Sequence, residues 1–167
     1  KLRYYVISDD DFNELLKDIH FDELNDIEIS TRYFIQNYPD VMELYDIKDE
    51  YELHNLMKKH IDSPNIDFNR MPHIGIGNYD RDMQVLDLLI ESAPIRYEEL
   101  GLLYEKRYGV EEKTAMAVHF GCISDYLLDG LYVIDYDELT KQEYDILSDM
   151  LTEDVYELSY VKEKYKE

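Results

Sequence analysis

The 167-residue sequence predicts a mainly helical α+β fold with short β wings, on three observations. Apolar residues recur at helical spacing over most of the chain, as on helices that bury one face. The few glycines and prolines fall between those runs, where turns belong. The stretch from Pro94 to Ile134, PIRYEELGLLYEKRYGVEEKTAMAVHFGCISDYLLDGLYVI, reads as helix, tight turn, helix, then a strand opening at Asp129-Gly130. That order is the core of a winged helix, a form of the helix-turn-helix.

Taken in order, Leu2 to Ile7 is a short apolar and aromatic run that suits a strand. Asp9 or Asp10 caps a helix beginning near Asp11, with Phe12, Leu15, Leu16 and Ile19 on one face. Asp9, Asp10 and Asp11 resemble a metal-binding cluster. A helix N-terminus attracts carboxylates without any metal, and that is the reading adopted. Ser30 or Thr31 caps a second helix that starts with Tyr33, Phe34 and Ile35, and Pro39 interrupts it or begins the next turn. Val41 to Tyr45 is a short helix, Asp46 a turn, and Asp49 to Ile61 a well-patterned helix with Leu53, Leu56, Met57 and Ile61 inside. Ser63 to Asn78 breaks the pattern with Pro64, Pro72, Gly75 and Gly77, and reads as loop plus a hairpin or edge strand at Ile74 and Ile76. Asp80 or Asp82 caps the next helix, which Ala93-Pro94 ends. Tyr97 to Tyr108 is a helix with Leu100, Leu103 and Tyr104 inside, closed by Gly109 in the left-handed region. Val110 plugs the turn, and Glu111 to Leu128 is read as one further helix. Asp129-Gly130 turns the chain into the strand LYVID. Two more helices follow, near Tyr136 to Met150 and Thr152 to Lys164.

A faint internal repeat joins the halves. YDIKDEYELHNLMKKHI from Tyr45 aligns with YGVEEKTAMAVHFGCIS from Tyr108, an offset of 63 residues. Each has an aromatic, a turn residue, a β-branched plug, acidic residues and then an amphipathic helix. One or two tandem winged-helix or helix-turn-helix-like units are therefore expected. The organisation read from the chain is a helical, winged-helix-like unit over residues 1–79. A winged-helix unit with two extra C-terminal helices fills 80–167.

The charge speaks against the usual ligand of such a fold. The chain carries 39 acidic and 17 basic residues, a formal net of −22. Residues 1–79 hold 8 basic and 17 acidic side chains, and residues 80–167 hold 9 and 22, so neither half is a basic module. Approach to a phosphate backbone meets repulsion that salt weakens without reversing. Disorder is rejected, because 17 Tyr, 5 Phe and a hydrophobic fraction of 45% supply a core. The lone cysteine, Cys122, excludes an internal disulfide framework and is expected to be a buried, inert thiol. No run of about 18 apolar residues suits a membrane span. A reducing cytoplasm is the expected location, and the start at Lys1 reads as that of a segment of a longer protein.

The motifs PIRYEEL, YGVEEK and YLLDGLY resemble the winged-helix HARE-type domain of the delta subunit of bacterial RNA polymerase. Pro94-Ile95 with Tyr97 and Glu99-Leu100 resembles the start of its second helix, Gly109-Val110 its turn, and Asp129-Gly130 the start of its wing. The resemblance covers residues 80–135. It implies a winged-helix fold and makes polymerase binding an available role. This chain departs from the pattern in its large N-terminal half, its extra C-terminal helices and the lack of a long polyacidic tail.

Catalysis is not expected. His20, His54, His60, His73 and His119 show no HExxH or other compact ligand spacing. No serine sits in a G-x-S-x-G setting, and GIG at Gly75 to Gly77 lacks the remainder of a nucleotide-binding loop. No catalytic residue, cofactor or metal is assigned. The candidate contact residues lie on the two helices that a winged helix would present to a partner. In the first they are His54, Asn55, Lys58, Lys59 and His60; in the second, Lys113 and His119. Asn55 suits an adenine edge and the lysines suit phosphates. Three functions are carried forward. The first is an acidic, non-enzymatic interaction or regulatory module with a protein partner, such as RNA polymerase or a basic protein. The second is a DNA-binding domain using the 49–61 helix, and the third is a nucleic-acid mimic.

Overall fold

A computed structural model describes residues 5–68, 70–134 and 140–150. It shows a mainly helical α+β protein with two three-stranded antiparallel sheets. Residues 1–134 form one compact unit and 135–167 a second.

Of the run Leu2 to Ile7 read as a strand, residues 2–4 lie outside the described residues, and residues 5–7 have no regular structure. Ile7 is buried, and the partly buried Tyr5 packs on the same core and donates its hydroxyl to Tyr45 O. Helix α1 (Asp9–Asp18) is capped by Ser8, whose Oγ accepts from Asp11 N at 3.1 Å. Asp9, Asp10 and Asp11 occupy its first turn, where carboxylates offset the positive end of the helix. Strand β1 (Ile27–Ser30) follows, which the sequence pattern did not show. Ser30 ends this strand, and Thr31 precedes α2 (Arg32–Asn37). The Thr31 hydroxyl is not a cap: buried, it donates to Glu50 O at 2.7 Å, with Pro72 O at 3.2 Å. Pro39 opens α3 (Pro39–Leu44) at its first position, where a missing N–H costs nothing. Asp46 then adopts φ +55°, and Asp49 caps α4 (Glu50–His60) through Glu52 N at 2.8 Å.

Strands β2 (Ile66–Asp67) and β3 (His73–Ile76) complete the first sheet in the order β1-β3-β2. Ile27 and Ile66 both oppose Ile76, and Ser30 opposes His73. The Gly75 strand is thus the central one of a hairpin and not an edge. Its glycine admits the Tyr79 ring, which a Cβ would meet at 2.0 Å.

The second half repeats the plan. Helix α5 (Arg81–Ser92) is capped by Asp80, β4 (Ile95–Arg96) follows, and α6 (Tyr97–Tyr108) ends on Gly109 at φ +71°. The third helical segment departs from the single helix expected over Glu111 to Leu128. It comprises α7 (Glu112–Thr114), a π turn over Ala115–His119 and a 3-10 stretch over Phe120–Tyr126. The π turn, closed by Phe120 N–H to Ala115 O, rotates both His119 and Phe120 inward. Leu127-Leu128 then leaves the helix as β5 and pairs with β6 (Leu131–Tyr132). Asp129 at φ +50° and Gly130 at φ +78° make the two-residue turn, the conformation that matches hairpin twist. The order β4-β6-β5 again puts the last strand in the centre.

Each half surrounds its own core with helices and a three-stranded sheet: α1, β1, α2, α3, α4, β2 and β3 in the first, and α5, β4, α6, the α7 segment, β5 and β6 in the second. Phe12, Leu15, Phe34, Leu53 and Met57 centre the first core, and Val85, Leu89, Leu100, Tyr104 and Tyr132 the second; Ile27 packs against both. The aligned motifs match in backbone. Asp46 and Gly109 are both left-handed, and the plugs Ile47 and Val110 are both buried. In the 135–167 unit, α8 (Lys141–Met150) starts at Thr140, whose hydroxyl and N–H both donate to Glu143 Oε2, at 2.7 and 2.8 Å. The helix read over Thr152 to Lys164 lies outside the described residues.

Candidate functional site

Helix α4 in the first half and the segment from α7 to Tyr126 in the second carry the candidate contacts, and the structure sorts them by face. On α4, Asn55, Lys58 and Lys59 are exposed beside the half-exposed Tyr51. Their spacing of four, then three and four residues lays them along one stripe. His54 points the other way: it is 1% exposed, with Nε2 3.2 Å from His73 O, and burial lowers its pKa. His60 stacks on Phe12 with ring centroids 4.8 Å apart, and its Nδ1 lies 2.9 Å from Asp9 Oδ1. His54 and His60 are thus core and boundary side chains, not surface contacts, because the apolar face of α4 is wider than Leu53, Leu56 and Met57 alone.

In the second half Lys113 is exposed, whereas His119 is 4% exposed and is corrected to an interior residue. The exposed residues there include the small or apolar Ala117, Val118, Gly121 and Cys122, followed by the polar Ser124 and Asp125. Val118 is 48% exposed, and the following hairpin adds Leu128 at 64%. Cys122 is exposed, against the expectation of a buried thiol, because the π turn carries its position outward. Its Sγ rests 3.2 Å from His119 O.

Between the halves lies a polar joint that no sequence pattern marks, since its members are spread from Glu28 to His119. Gln84 on α5 reaches the outer edge of β1. Its Oε1 accepts from Glu28 N at 2.9 Å and its Nε2 donates to Glu28 O at 3.0 Å, so one amide satisfies both groups of an edge strand. Gln84 Nε2 also lies 3.2 Å from the Tyr104 hydroxyl, and that hydroxyl is 3.3 Å from His119 Nδ1. His73 closes the group, its ring 6.2 Å from that of His119 and its Nδ1 3.6 Å from Glu28 Oε1. Burial raises the Glu28 pKa, opposed by Arg81 and Arg70; burial and those same arginines lower that of His73. His119 is pushed down to about 4, first by burial and then by Arg81, His73 and Arg70.

Two further contacts fix the joint. Arg32 spans it, 3.0 Å from Glu105 and 3.1 Å from Glu111. Gly109 lies directly on the Tyr33 backbone. Among the described residues, no three His, Cys, Asp or Glu side chains converge as a metal site would require, and no helix is long and apolar enough to cross a membrane. No protein-family model, curated protein or solved structure matches the chain.

Proposed function

We propose that this chain is a non-enzymatic, acidic winged-helix module that recruits a protein partner through the outer face of its second third-helix, within a cytoplasmic bacterial regulatory protein. The observation that carries this reading is the exposure of Ala117, Val118 and Gly121 on the segment a winged helix offers to its ligand, with Leu128 of the following hairpin exposed as well. Exposed apolar residues gathered on a presenting element suit a protein surface, and the π and 3-10 geometry there departs from the regular helix that enters a major groove. The resemblance to the polymerase delta subunit makes RNA polymerase the first partner to test and a transcription-related role the first context. Purified bacterial core RNA polymerase is expected to bind the chain in biolayer interferometry, and Val118→Asp is expected to weaken that binding at least tenfold with an unchanged melting temperature. No binding of the native chain either to polymerase or to a basic protein would reject the reading.

The stripe Tyr51, Asn55, Lys58 and Lys59 favours a second reading, contact with duplex DNA through α4. Each phosphate neutralised contributes about 0.9 to the salt slope. Lys58→Ala with Lys59→Ala is then expected to flatten the slope of log K against log salt by about 1.8. A native chain that shifts no duplex at about 50 mM salt removes this alternative.

A further inference from the structure

We propose that the joint between the two winged-helix halves is a proton-operated latch, in which protonation of His119 releases the Gln84 clamp from β1. The polarity of the hydrogen bonds leads to this directly. Gln84 is oriented by Glu28: its oxygen must face the Glu28 N–H and its nitrogen the Glu28 carbonyl. The nitrogen also donates to the Tyr104 hydroxyl, leaving the tyrosine proton for His119 Nδ1. His119 therefore accepts at Nδ1 and carries its own proton at Nε2, the neutral tautomer. Adding a proton at Nδ1 puts a donor where the relay has its only acceptor. The Tyr104 hydroxyl would then face donors from both Gln84 and His119 with no partner for its own hydrogen. Tyr104 is wholly buried, so the misfit cannot be passed to water in the closed joint.

The surroundings reinforce the response. The groups acting on His119 are Tyr104 from α6, Arg81 from α5, His73 from β3 and Arg70 from the segment before it. The two arginines oppose a new cation there. The Glu28 carboxylate lies against His73, with Asp67 acting on Glu28 in turn. His73 Nδ1 and Arg81 Nε are already buried without hydrogen-bond partners in the closed joint. Opening relieves each of these conflicts by letting water in, and its first structural consequence is loss of the bond between Glu28 N–H and Gln84.

The Glu28 amide is the reporter. Amide hydrogen exchange read by NMR on the whole chain, corrected for the intrinsic pH dependence of exchange, is compared at pH 7.5 and pH 5.0. With His119 at about 4 in the closed joint and 6.5 when open, acidification should favour opening by about 30-fold. Protection at Glu28 is expected to fall at least tenfold, while amides inside the cores, such as Met57 and Tyr104, change less. In His119→Gln, which still accepts from Tyr104 but does not titrate, the Glu28 amide should keep its protection. Tyr104→Phe cuts the relay while preserving the ring, and should lower Glu28 protection equally at both pH values. A fall of less than tenfold in the native chain, or an undiminished fall in either variant, overturns the latch.

Discussion

Replacing Gly109 by alanine should destabilise the 1–134 unit by about 2–5 kcal/mol, with roughly a 10 °C drop in melting temperature. Two effects add. The residue sits at φ +71°, where a Cβ costs about 1–2 kcal/mol. The larger effect is contact: that Cβ would stand 2.3 Å from Tyr33 N and 2.8 Å from Tyr33 Cα. Backbone on the far side of the joint would have to retreat, taking the Arg32 bridge to Glu105 and Glu111 with it. The chain contains its own control for the conformational part. Gly130 has φ +78° with nothing within 4 Å of a built Cβ, so Gly130→Ala should lose only about 1–2 kcal/mol. Gly109→Asn sharpens the distinction, because asparagine tolerates the left-handed region yet still collides with Tyr33. Urea midpoints for the three variants decide the matter. Equal losses for Gly109→Ala and Gly130→Ala would mean that the two halves do not pack closely at this point.

Asp46 shows why that contact was invisible in the sequence. It occupies the position equivalent to Gly109 and is also left-handed, so the turn itself does not demand glycine. From the sequence, Gly109 reads as a helix stop. What singles it out is a neighbour 76 positions away. The same distinction runs through the fold. Local chemistry was legible: Asp80 as a cap, Gly109 as a stop, Asp129-Gly130 as a hairpin turn, and the plugs Ile47 and Val110. Strand β1 was missed because IEIS is only four residues long and its alternation is lost between two helical patterns. The break in the third helix of the second half was missed because Glu111 to Tyr126 keeps an apolar stripe even when wound unevenly. Of the seven candidate contacts, Asn55, Lys58, Lys59 and Lys113 lie on the surface. His54, His60 and His119 do not, since a histidine on an amphipathic helix is ambiguous until its face is known. Gln84 carried no signal at all, being one polar side chain in the apolar run that α5 turns toward the first half.

The histidines turned inward should make the fold acid-labile well above the range in which carboxylates protonate. In the native chain His119 has its pKa pushed down to about 4, against about 6.5 when unfolded. The unfolded chain therefore takes up a proton as the pH drops below 6.5, and the native chain does not. The sign follows: this contribution is fully present above pH 6.5 and is lost as the pH falls toward 4, to a total of about 3 kcal/mol. By pH 5.0 about 2 kcal/mol should already be gone. His54 and His73 are shifted in the same direction by burial and steepen the decline. Glu28 works the other way: its pKa is raised in the folded chain, so protonating it favours the fold, but only as the pH enters the carboxylate range. Urea denaturation at pH 7.0, 6.0 and 5.0 should show the midpoint falling continuously. His119→Gln should recover about 2 kcal/mol of the loss at pH 5.0 relative to its own value at pH 7.0. A stability that stays level between pH 7.0 and 5.0 would place His119 in contact with water or with a carboxylate, and would contradict the closed, dry joint from which both this prediction and the latch are drawn.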